Sequence, residues 1–242
     1  MESPASRSSP RQNRRKERTR TRILEAAEEL FADGVEAATI ERIAERADVG
    51  VTTIYQHFGG KDDLHRTVVA RAFERHEHDM LAACESDAEP VEKLIDVIGT
   101  HVGYYLESPQ LFAMIHLRRG NPHPALADDP VATAITARVT RIDTSMVAII
   151  DAGIGNGTLR PVDSADTTRF LWGTTNGVIA LAARSDRLRL TTTELRDALV
   201  QGFTIFFEGL VADPLRGPDG RLSPALRARL RNVFETARTA PT

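Results

Sequence analysis

With one cysteine in 242 residues, Cys84, the chain has no intramolecular disulfide and no thiolate cluster for zinc or iron–sulfur chemistry. Long apolar runs are missing as well. The longest stretch without a polar side chain, 177–183, is far too short to cross a bilayer. Nothing near the N-terminus has the apolar core of a secretion signal, so the expected location is cytoplasmic, with no membrane partner. Catalytic signatures are equally scarce. No G-x-S-x-G nucleophile motif occurs. The run Gly153-Ile154-Gly155-Asn156-Gly157 lacks G-x-G-x-x-G spacing and follows helical periodicity, which fits a helix end and a turn. His76 and His78 flank Glu77, but positions two apart on a helix face different ways and cannot share a metal ion. These absences argue against an enzyme, and they leave no catalytic residue, cofactor or metal site to assign.

What the chain does have is helical periodicity and an uneven charge. Residues 1–22 hold eight basic and two acidic side chains, a local charge of +6. The whole chain carries −3, so the remainder carries −9 by difference. The basic segment contains Ser and Pro and almost nothing apolar, which predicts disorder in the free protein and an arm that tracks phosphates or enters a minor groove. After it, apolar residues recur at helical spacing and strand alternation is absent. Punctuation by Pro, Gly and Asp divides 62–237 into helices over 62–85, 91–107, 109–119, 131–153, 164–185 and 192–212, with a short helix near 224–237. The fold class is all-α. The expected organisation is an arm over 1–18, a small helical domain over 19–65, a larger one over 66–213 and a tail over 214–242.

The most specific chemistry lies in 39–64. Ile40, Ile43, Ala44 and Ala47 mark one apolar helix face, with Thr39 as N-cap and Glu41 in the first turn, where the helix dipole favours an acid. Asp48-Val49-Gly50 breaks the helix. A second helix, Val51 to Phe58, ends at Gly59-Gly60. Two short helices around a Gly-containing turn outline a helix-turn-helix, whose second helix enters the DNA major groove. An earlier helix, marked by Ile23, Leu24, Ala27, Leu30 and Phe31 and closed by Gly34, makes a third. The recognition helix, VTTIYQHF, lacks Arg, Lys and Asn, so its base readers are Thr52, Thr53 and Gln56 with the Val51 methyls. Gln pairs with adenine and methyls contact thymine, which tilts readout toward A·T pairs.

This segment resembles the DNA-binding domain of TetR-family transcriptional regulators. The resemblance rests on Thr39, Ile40, Ile43, Ala44, Ala47, Val49, Thr53, Ile54, Tyr55, His57, Phe58, Lys61 and Leu64 in register. Asp48 and Thr52 stand where the family has Gly, and Gly50 where it has a capping Ser. The resemblance implies phosphate contacts from Thr39, Tyr55, His57 and Lys61, with Arg42 and Arg46 beside them. It also implies that the last two long helices form a homodimer. There, Leu195, Leu199, Phe203, Phe206, Phe207 and Leu210 make an apolar face, and Gly173, Gly177, Gly202 and Gly209 admit a close partner helix. A small-molecule effector is implied between the helices of the larger domain. Candidate lining residues with a polar tip are Tyr104, Tyr105, His116, Arg119, Arg138, Trp172 and Asn176, with Phe112, Met114, Ile115 and Met146. The expected function is a sequence-specific DNA-binding regulator, a repressor released from a palindromic operator by that effector. The alternatives are a ligand-independent regulator of the same fold and an architectural DNA binder driven by the basic arm.

Overall fold

The computed structural model describes residues 10–32, 34–35, 37–107, 109, 130–184 and 186–236. Contacts divide the chain into two compact units, 1–71 and 72–242, a few residues beyond the boundary expected at 65/66.

In the first unit, α1 spans Pro10–Ala32, α2 Ile40–Arg46 and α3 Val51–Phe58. A fourth helix, α4 (Lys61–Glu85), begins here and contains the division between the units. The Thr39 hydroxyl caps α2 by accepting from the Arg42 amide at 3.3 Å. Gly50 caps α3 without a side-chain bond, and α3 stops at Gly59, whose φ of 76° closes the helix in the left-handed region. Ile23, Ala27, Phe31, Ile43, Ile54, Phe58 and Leu64 form the buried core.

One expectation is corrected here. The segment before residue 19 was expected to be a disordered arm, yet α1 begins at Pro10 and runs unbroken through the basic residues. Pro10 takes a first-turn position, where its missing N–H costs nothing. Arg, Lys, Gln and Glu have high intrinsic helix propensity, and the helix begun at Ile23 supplies the nucleus from which they extend. Low hydrophobicity and high charge describe this exposed helix as well as they describe a disordered tail. Residues 1–9 lie outside the described residues.

In the second unit follow α5 (Pro90–Glu107), α6 (Pro130–Gly155), α7 (Ser164–Ala182), α8 (Thr192–Leu210), a 3-10 turn (Asp213–Leu215) and α9 (Pro224–Thr236). Each matches an expected helix to within three residues; of the helix expected over 109–119, all but residue 109 lies outside the described residues. Asp163 caps α7 through the Asp166 amide at 2.7 Å, and Thr191 with Glu194 forms a capping box on α8. α6 ends at Gly155, and Gly157 has a φ of 75°, so the glycine run is a helix end and turn. α5 packs against α6, α7 and α9. Its buried face, from Val91 through Leu94, Ile98 and Val102, lies in one core with Ile142, Met146, Phe203, Phe207 and Phe234.

Candidate functional site

In α3, Ile54 and Phe58 point into the core, which turns Thr52, Tyr55 and Gln56 outward to solvent. Tyr55 is 51% exposed, so it is a surface group and not part of the packing. Val51, Thr53, His57 and Lys61 are half-buried along the edges of this face, and Thr39 is exposed at the start of α2. All eight expected DNA-contacting residues thus lie in the first unit, with Thr52, Tyr55 and Gln56 on the outward side of α3 and Val51, Thr53 and His57 at the edges of that side. Arg42 donates to the Ala37 carbonyl at 2.8 Å, and Arg46 pairs with Glu29 at 2.6 Å. Both arginines stay exposed at the surface.

Two features were not legible in the sequence. Asp48 adopts φ 50°, the left-handed conformation that explains why Gly is usual at this turn; Asp tolerates it better than most residues. Arg22 holds that turn, reaching the Ala47 carbonyl, the Asp48 carbonyl at 3.0 Å and the Asp48 carboxylate at 3.0 Å. On another edge of α1, Arg20 lies over the Phe58 ring at 5.2 Å. Partial burial, then the charges of Lys16 and Arg20, hold the His57 pKa below its ordinary 6.5.

The effector candidates scatter. Trp172 and Asn176 do meet. Asn176 donates to the Trp172 carbonyl at 2.9 Å, and its Oδ1 lies 3.2 Å from Nε2 of His101, whose ring packs on Trp172 at 4.3 Å. His101 Nδ1 in turn lies 3.0 Å from Nε2 of His76, which stacks on Tyr104. Since Asn176 Oδ1 can only accept, His101 carries its proton on Nε2 and accepts from His76. Both histidines are buried. A cavity of about 460 Å³ adjoins them, lined by His76, Asp79, Thr100, Tyr104, Glu107 and Val233. Tyr105 faces a different cavity, about 360 Å³, beside Arg189 and Leu195; burial raises its pKa. Met146 is sealed in the core. Arg138 is corrected from anion-binding candidate to structural ion pair, because the buried carboxylate of Glu77 engages it at 2.5 Å. Phe112, Met114, Ile115, His116 and Arg119 lie outside the described residues.

The apolar stripe on α8 splits in two. Leu195, Leu199, Phe203, Phe207 and Leu210 are internal core. Ile205, 61% exposed, and Phe170 of α7, 59% exposed, instead border an outward apolar groove with Val178, Gly202 and Phe206. A Cβ on Gly173, Gly177, Gly202 or Gly209 would meet no atom within 4 Å.

The family model for bacterial regulatory proteins of the tetR family matches residues 23–68, the helix-turn-helix just described. Residues 23–68 therefore carry a DNA-binding domain of the TetR type. Among curated relatives, the transcriptional regulator HbdR of Aromatoleum sp. (strain CIB) is 34% identical over 35% of this chain. That match spans only 38% of HbdR. Among solved structures, the ketosteroid transcriptional regulator KstR2 of Mycobacterium tuberculosis aligns with a TM-score of 0.60 at 21% identity, over 80% of this chain and 95% of its own. The regulator FadR of Bacillus subtilis, in complex with stearoyl-CoA, aligns with a TM-score of 0.55 at 18% identity, over 92% of this chain and 100% of its own. The fold is thus shared along most of the chain.

Proposed function

We propose that this chain is a homodimeric, sequence-specific transcriptional regulator of the TetR family. It acts in the cytoplasm as a repressor and leaves a palindromic operator when a small molecule occupies its larger unit. One observation carries the reading: Thr52, Tyr55 and Gln56 stand outward on a helix whose opposite side, Ile54 and Phe58, is locked into the core. A short helix anchored in this way is a major-groove reader. Thr52, Thr53, Gln56 and Val51 read bases, favouring A·T pairs, and Thr39, Tyr55, His57 and Lys61 hold phosphates. The outward groove on α7 and α8 supports dimerisation, because an exposed apolar patch flanked by glycines suits a second copy of the same face. The stearoyl-CoA held by FadR supports a small-molecule effector for a larger unit of this fold. The chemistry is binding, with no catalytic step.

Selection of bound sequences from randomised duplex DNA tests the reading. The expected outcome is a palindrome with A·T-rich half-sites about one helical turn apart. Enrichment without a consensus, confined to low salt, would instead identify an architectural binder and reject the regulator reading.

A further inference from the structure

A regulator of this kind must neutralise phosphates, yet α3 has no Arg or Lys and the chain beyond residue 22 is acidic. Arg14, Arg15, Arg18 and Arg22 follow Arg11 on α1 by three, four, seven and eleven residues, which places the five on one side of the helix. Together with Asp48, Val49 and Thr53 they line a groove of about 1040 Å³ between α1 and the turn leading into α3. Thr53 belongs to the recognition helix, so the groove opens beside the base-reading face.

The groove is electropositive by construction. Asp48 is its one acidic wall, and Arg22 satisfies that carboxylate. Arg11, Arg14, Arg15 and Arg18 are exposed, and no carboxylate among the described residues pairs with them. From Arg11 to Arg18, α1 rises about 10 Å at ~1.5 Å per residue. A DNA strand advances ~3.4 Å along its axis per phosphate, so this row matches about three successive phosphates. Guanidinium forks suit such oxygens by charge and by geometry.

We infer that the helical basic extension of α1 and the turn before α3 clamp one strand of the operator backbone between them, adding about three phosphate contacts beside the major-groove half-site. The inference rests on the regulator reading above and extends the DNA footprint beyond the helix-turn-helix.

The test compares the full-length protein with R11Q/R14Q/R15Q/R18Q on the selected operator, between about 50 and 200 mM salt. Each phosphate contact contributes ~0.9 to the slope of log affinity against log salt, so the variant's slope should be shallower by about 3. The corresponding four-lysine variant, which keeps the charge, should retain the wild-type slope within about one contact. Circular dichroism confirms that α1 is still folded. An unchanged slope in the folded glutamine variant overturns the inference. If the wild type selects no sequence at all, the regulator reading fails, and the same comparison on random duplex still decides whether the groove holds a phosphate backbone.

Discussion

Arg138 Nη1 sits 2.5 Å from Glu77 Oε2, and Arg141 donates to the other oxygen of the same carboxylate at 2.7 Å. Glu77 lies on α4 and both arginines on α6, so one buried acid ties the two helices together. Its burial makes the three partners unequal. Removing the carboxylate leaves a guanidinium with three-quarters of its surface covered and only the exposed Glu74, at 3.7 Å, as counter-charge, which costs about 3 kcal/mol. Arg141 is half exposed, and its loss should cost about 1 kcal/mol or less. Urea midpoints should therefore fall in the order Glu77→Gln, then Arg138→Ala, then Arg141→Ala. Equal midpoints for the wild type and Glu77→Gln would show that the pair contributes nothing to the fold.

Gly99 marks where α9 closes on α5. A Cβ built there would stand 2.0 Å from Cγ1 of Val233, and valine in a helix has little rotamer freedom with which to retreat. Gly99→Ala gains about 1 kcal/mol of helix propensity but forces the two helices apart, for a net destabilisation of about 1–3 kcal/mol. Gly99→Ala with Val233→Ala should recover most of that loss. A double variant no more stable than Gly99→Ala would mean that the contact is not the obstacle.

The contrast between these sites explains what the sequence revealed. Helix boundaries were legible because caps and breakers act locally: Thr39 caps α2 in the structure as its place before an apolar helix face requires. The outward side of α3 was legible because Ile54 and Phe58, four apart, fix which side turns inward. Arg138 was misread because its partner lies 61 residues away, and an arginine on an apolar helix looks the same whether it awaits an anion or already has one. His101 was overlooked for the same reason, since its partners come from α4 and α7. The helical state of 10–22 was hidden because charge and low hydropathy describe an exposed helix and a disordered tail equally well.

His57 gives the DNA reading a pH signature. Burial and the cations Lys16 and Arg20 disfavour its imidazolium, so its folded pKa lies below the ordinary 6.5. The folded chain then binds fewer protons than the unfolded one, and His57 subtracts stability as pH falls through 6.5 toward the lowered value. A phosphate seated beside the ring favours the imidazolium and raises the pKa, so DNA binding takes up a proton. Operator affinity should strengthen as pH falls from the bound pKa toward the lower free value, and level off below it. Dissociation constants from about pH 8 to 6 measure this. His57→Gln should flatten the profile; an equally steep profile in that variant would place the titrating group elsewhere.

The outward groove on α7 and α8 makes the last prediction, on assembly. Ile205 and Phe170 are more than half exposed in the isolated chain, and Gly202 leaves open space above its backbone. In a dimer these positions lie at the centre of a helical interface, where a buried unpaired charge costs several kcal/mol and excess volume holds the partner helix away. Ile205→Glu should therefore yield monomers by sedimentation. Leu195, Leu199 and Phe203 are buried in the chain's own core, so circular dichroism should remain helical. Gly202→Leu should weaken the dimer without adding charge, which separates a steric effect from an electrostatic one. A monomer reading one half-site loses the paired contacts of a palindrome, so both variants should bind the operator far more weakly while α3 is unaltered. Retention of the dimer by both variants would assign this groove to some other partner and move the two-fold axis elsewhere.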